Sequence, residues 1–99
     1  GYERSILAYA RIAPAKQETI LIVLNFTPIV RYNFRLGVPK TGQYQEIFNS
    51  DAAEFGGSDV VNGIASSIDT PSHSQSQSIE ITLPPLAAVF FKRVPDEHE

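Results

Sequence analysis

The side chains with chemical potential are few in this chain, and their spacing is wrong for catalysis. Glycosidic bond chemistry needs two carboxylates held on opposite sides of one bond by a rigid scaffold. Here the acidic residues sit mostly in turns or at the chain ends, and only Glu46 and Glu80 fall inside strand-like runs, where each reads as a solvent-facing residue. His73 lies in a polar loop and His98 in the terminal tail, so neither a metal cluster nor a Ser-His-Asp arrangement can be assembled around them. There is no Cys to act as nucleophile, metal ligand or disulfide partner. No glycine-rich loop follows a strand and opens a helix to cradle a phosphate. The expectation is a chain with no catalytic residue, no metal site and no cofactor.

Composition narrows the partners. Eight Lys and Arg against eleven Asp and Glu give a net charge of -3 over 99 residues. The basic residues (Arg4, Arg11, Lys16, Arg31, Arg35, Lys40, Lys92 and Arg93) are scattered, which argues against a nucleic-acid surface. The longest apolar run, Ile20 to Leu24, is far short of the roughly 20 residues that span a bilayer, so no membrane partner is expected. The absence of Cys suits a reducing cytoplasm. A chain of this size buries roughly 60 to 70% of its unfolded surface, enough for a single core. Because it opens on Gly-Tyr-Glu and moves straight into an apolar run, it reads as one domain, 1–99, cut from a longer polypeptide.

The elements that must position any site are strands. Ser5 to Ile12 is apolar and aromatic and is ended by Pro14. Thr19 to Phe26 is a β-branched run of eight with the composition of a strand covered on both faces, and it is placed at the centre of a sheet. Arg31 to Leu36 alternates, with Tyr32, Phe34 and Leu36 on one face and Arg31, Asn33 and Arg35 on the other. Gln43 to Phe48 is a fourth strand of ambiguous facing, since Tyr44, Phe48 and Ile47 all favour burial. A long connection over 52–78 contains a strand-like piece around Ile64 to Ile68 and a Ser/Gln-rich stretch, 65–77, read as a flexible loop. Ser78 to Leu83 alternates again, Pro84-Pro85 breaks the ladder, and Leu86 to Val94 closes the chain as an apolar strand. No helical period appears, so the apolar strand faces must be covered by a second sheet. The fold class is all-β, an antiparallel β-sandwich of about six to eight strands.

The ordered set of turns is specific. Asn25-Phe26-Thr27-Pro28, then Gly37-Val38-Pro39 with Gly42 and Tyr44, then Asn49-Ser50-Asp51 with Phe55-Gly56-Gly57-Ser58 and Asn62, together resemble the C-terminal domain of bacterial 1,4-α-glucan (glycogen) branching enzymes of the α-amylase superfamily. Leu83-Pro84-Pro85-Leu86-Ala87 and the run Arg4 to Arg11 extend the likeness over nearly the whole chain, apart from the Ser/Gln stretch. The resemblance implies a non-catalytic accessory domain behind a catalytic barrel. In such enzymes the barrel carries the acidic residues that cut an α-1,4 glucan and transfer the segment to a 6-hydroxyl by a retaining route. It also implies two partners, the catalytic barrel of the same polypeptide and an α-glucan. Tyr2, Tyr9, Tyr32 and Tyr44 are candidates for stacking on a sugar, Phe55 for a barrel or glucan contact, and Arg31 and Arg35, read on one face, for pairing with barrel carboxylates. Phe26 is expected in the core, with Asn25 or Thr27 bonding the turn backbone, and the two glycines after Phe55 are expected at positive φ.

Overall fold

The computed structural model describes residues 5–97. Tyr2, Arg4 and His98 lie outside the described residues. Seven strands follow one another as β1 (Ile6–Ala13), β2 (Glu18–Asn25), β3 (Arg31–Val38), β4 (Gln43–Asn49), β5 (Ile64–Ser66), β6 (Gln77–Leu83) and β7 (Ala87–Arg93). They form two antiparallel sheets, one of five strands in the order β1-β2-β7-β4-β5 and one of two strands, β3-β6. The β-sandwich expected from the strand pattern is the observed architecture, and β2 is an interior strand of its larger sheet.

The core lies between the sheets. From β2 and β7 come Leu21, Val23, Val89 and Phe91; β4 adds Tyr44; β3 and β6 supply Leu36, Val38, Ile79, Ile81 and Leu83. Each set is every second residue of its strand, as the two-residue period of side-chain direction requires. The ambiguity in β4 is resolved by a bulge: Glu46 pairs with Phe91 and Phe48 with Phe90, leaving Ile47 as the extra residue. Tyr44 before the bulge and Asn49 after it point into the core, while Ile47 and Phe48 both face outward.

A second bulge corrects the expected facing of β3. Arg31 pairs with Leu83 and Phe34 with Ile81, so three steps on β3 answer two on β6, and Asn33 takes a left-handed φ of 54°. The inserted residue reverses side-chain parity. Arg31 therefore shares the Leu83 side of the sheet and Arg35 the Glu80 side, so the two arginines lie on opposite faces. Tyr32 is turned out to 70% exposure instead of following Phe34 and Leu36 inward.

Buried polar side chains tie the turns to the sheets. Asn25 donates to the Pro84 and Ile29 carbonyls, while its Oδ1 accepts from the Thr27 amide and hydroxyl. That network holds the β2–β3 turn against the β6–β7 turn, as expected of Asn25 and Thr27. Phe26 differs from expectation: at 62% exposed it points away from the core, because it continues the outward-facing row of Ile20, Ile22 and Leu24. Glu46 is not a solvent-face residue either. Its Oε2 accepts from Asn49 Nδ2, the Asn62 amide and Asn62 Nδ2. Asn62 then reaches the other sheet, donating to the Thr82 carbonyl and accepting from the Thr82 amide, so one side chain occupies a strand partner's place at the edge of β6. Gly56 has φ 80°, but Gly57 is required for a different reason, since a β-carbon there would overlap the backbone of Asp51.

The stretch 65–77 begins in β5, passes an antiparallel bridge between Ile68 and Ser78, and turns at Ser72–Gln75. Gln77 Nε2 donates to Asp69 Oδ1 and the Ser78 hydroxyl to the Thr70 carbonyl.

Asn62→Ala should destabilise the domain by roughly 2 kcal/mol, because the Thr82 amide and carbonyl lose their partner and the half-buried Glu46 carboxylate loses a donor; urea titration of the 99-residue chain measures it. Tyr44 yields a pH prediction. Burial raises its phenol pKa above the usual 10.0, against the opposing charge of Arg93. A group whose pKa is raised by folding holds its proton more tightly in the folded state, so its share of stability is complete below pH 10 and is lost as pH rises through the folded value. Alkaline unfolding should therefore carry a tyrosine ionisation that disappears in Tyr44→Phe.

Candidate functional site: the outer face of the large sheet

Pairing in the five-stranded sheet sets its outer face in rows. Tyr9, Ile22, Phe90 and Phe48 form one row across four strands, and Leu7, Leu24 and Ala88 form the next. A third row, Arg11, Ile20, Lys92 and Gln45, is where charge begins, with a Lys92–Glu18 ion pair at 3.4 Å. The two-stranded sheet covers the opposite face, so among the described residues no element lies over these rows.

The central row is extended by an aromatic from a loop. Phe48 lies between Phe90, at 5.1 Å between ring centroids, and Phe55, at 5.5 Å. Phe55 stands on a 3-10 turn, Ala53–Phe55, closed by Gly56 and fastened beneath by Asp51. The Asp51 carboxylate accepts from the Ser58 and Val60 amides, and its carbonyl accepts from the Asp59 amide. Ile47 is 51% exposed, Phe48 36% and Phe55 57%. Beside Ile47 a cleft of about 300 Å³ opens between Ile20, Ile22 and Phe90. At the far end of the face, Phe26 and Leu86 stand out on adjacent turns, joined by the bond from the Leu86 amide to the Thr27 carbonyl. Such a surface suits non-polar contact with another protein surface, since it is broad, rigid and uncharged at its centre.

Of the contact candidates singled out from the sequence, Phe55 and Tyr9 fall on this face. Tyr44 is fully buried, its ring in the core and its hydroxyl bonded to the Lys40 carbonyl at 2.6 Å, so it presents no ring face to a ligand. Arg35 lies on the outer side of the small sheet and donates to the Ser78 hydroxyl at 3.0 Å. Arg31 and Tyr32 stand at the start of β3, apart from Phe55. These candidates are therefore not gathered into one site. Sequence reasoning missed the face itself, although its signal was present in a central strand, β2, that is apolar on both sides.

No group of three or more His, Asp and Glu residues among the described residues is placed to hold a metal ion. No helix among them is long and apolar enough to cross a membrane.

Comparison with known proteins gives this geometry a family. Residues 2–94 match the family described as the α-amylase C-terminal all-β domain. The chain is 49% identical over 90 residues to the 1,4-alpha-glucan branching enzyme GlgB of Nitrosospira multiformis, covering 90% of this chain and 12% of that protein. It is 47% identical over 88 residues to GlgB 2 of Rhizobium etli, covering 89% of this chain and 12% of the relative. For GlgB of Halothermothrix orenii the identity is 47% over 91 residues, covering 91% and 14%. The chain thus spans only about an eighth of the length of these relatives. With seven antiparallel strands in two sheets among the described residues and a match running over nearly its whole length, this chain belongs to the α-amylase C-terminal all-β domain family.

Proposed function

We propose that this chain is the non-catalytic accessory domain of a 1,4-α-glucan branching enzyme, and that it stabilises the catalytic barrel of the same polypeptide by docking through the outer face of its five-stranded sheet. The observation that carries the reading is that face, where Ile47, Phe48, Phe55 and Phe90 stand in one apolar surface with no cover among the described residues. Covering a half-exposed large apolar side chain contributes about 1 kcal/mol, so four or five such contacts suffice to hold two domains already joined by a linker. At one border of the face the Ser5 carbonyl accepts from the Phe26 amide.

In this reading the parent enzyme transfers α-1,4-glucan segments to 6-hydroxyls in glycogen synthesis, in the cytoplasm, with its reacting carboxylates in the barrel. The domain contributes stability and a fixed orientation. Arg31 and Tyr32 stand on the other sheet, at the start of β3, for contacts with other parts of the polypeptide or with glucan.

Ile47→Glu tests the docking. In a polypeptide carrying both barrel and domain, a carboxylate buried against apolar surface should weaken docking by roughly 3 kcal/mol, read as faster proteolytic release of the domain and a lower thermal midpoint. In the isolated 99-residue chain the same change lies on an exposed bulge and should cost less than about 0.5 kcal/mol. An unchanged midpoint and release rate in the longer polypeptide would overturn the docking face.

A further inference from the structure

The chain holds four asparagines, and Asn62 alone is followed by glycine. An asparagine carboxamide lies within reach of the next residue's amide nitrogen, which can attack it and close a five-membered ring. A side chain on that next residue hinders the approach, so Asn-Gly is the pair most open to the reaction. Gly63 is exposed, and its amide donates no hydrogen bond among the described residues. At two of the other asparagines the attacking nitrogen is engaged: the Phe26 amide donates to the Ser5 carbonyl at 2.9 Å, and the Ser50 amide to the Ala88 carbonyl at 3.0 Å. Asn33 is followed by the bulky Phe34. The fold itself does not ask for glycine at 63. No atom lies within 4 Å of the place a β-carbon would take there, and its φ lies outside the left-handed range.

The other partner in the reaction is tied down. Asn62 Nδ2 donates to Glu46 Oε2 and to the Thr82 carbonyl, each at 2.9 Å, and Oδ1 accepts from the Thr82 amide at 2.8 Å. Turning the carboxamide onto the Gly63 nitrogen takes it away from Thr82 and Glu46 and breaks all three bonds. The nucleophile is therefore free while the group it would attack is held, and the holding network is the one that joins the two sheets.

We propose that Asn62-Gly63 is a site of spontaneous covalent modification, deamidation through a succinimide, whose rate is set by how often Asn62 lets go of Thr82 and Glu46. The Gly63 nitrogen bonds to Asn62 Cγ and gives up its proton; the Cγ–Nδ2 bond breaks and ammonia leaves. Water then opens the ring at one carbonyl or the other, leaving an aspartate or an isoaspartate at position 62. Either product carries a carboxylate where Nδ2 donated. The Thr82 carbonyl loses its donor, and two carboxylates face each other where a 2.9 Å hydrogen bond had been. Isoaspartate also adds a methylene to the main chain, which shifts residue 62 out of line with Thr82. The join between the sheets is thereby lost without return, because the reaction makes a local opening irreversible. This chemistry belongs to the chain itself and is independent of the docking face.

Peptide mapping by mass spectrometry on the 99-residue chain, held warm at mildly alkaline pH with and without urea, tests the site. In urea Asn62 should deamidate fastest of the four asparagines. In the folded chain it should react about a hundredfold more slowly, at roughly fivefold for each of three hydrogen bonds. Glu46→Ala should raise the folded rate by about fivefold or more and leave the rate in urea unchanged. Gly63→Ala keeps the test valid if the Glu46 variant fails to fold. With open space at that β-carbon it should retain the parent's urea midpoint, while its modification in urea falls to a small fraction of the parent's. Asn62→Asp, which builds one product directly, should lower the urea midpoint further than Asn62→Ala does. The proposal is overturned if the folded and unfolded rates agree, or if another asparagine reacts ahead of Asn62 in urea. An Asn62→Asp chain as stable as the parent overturns it as well.

Discussion

A two-stranded sheet can cover one face of a five-stranded sheet, and no more than one. β2 makes that inequality consequential. Its alternate residues Leu21 and Val23 are buried beneath β3 and β6, while Ile20, Ile22 and Leu24 look the other way and are as apolar as those beneath. Strands apolar on both faces belong in sheets covered on both sides. The bulge at Ile47 adds to the imbalance by turning two consecutive apolar residues of β4 outward, and Phe55 is carried onto the same surface by a loop fastened through Asp51. The proposed docking would make the domain one layer of a larger object, in keeping with branching-enzyme relatives about eight times its length.

The small sheet itself could not hold its place by apolar contact alone, because two strands leave both of their edges open. Polar side chains supply the missing partners. Asn62 answers both backbone groups of Thr82 at one edge of β6, and the turn at Ser72–Gln75 caps β3 at Gly37 at the other. Glu46 connects Asn62 back to β4, so the two sheets are joined through a carboxylate that accepts three hydrogen bonds. The residues in this chain most like catalytic groups by type, a strand carboxylate and a loop histidine, are employed in holding strands.

The same economy leaves a groove. Where β1 carries Ala8 and Ala10, the sheets do not meet, and the turn bearing His73 closes the far side at the expense of two strained residues.

Strand identity, the antiparallel sandwich and the place of β2 inside its sheet were legible from residue order alone, because side-chain alternation and turn chemistry are local properties. The family likeness was legible for a related reason, since its turns recur at fixed spacing. Facing was another matter. One inserted residue at Asn33 placed Arg31 and Arg35 on opposite faces and exposed Tyr32, and another at Ile47 sent Tyr44 inward and Phe48 outward. A bulge depends on how two strands register, which neither strand encodes by itself. Only the tertiary structure could decide which apolar residues gather into an uncovered face, that Glu46 and His73 serve the edges of the sheets, and that two alanines leave a groove between them.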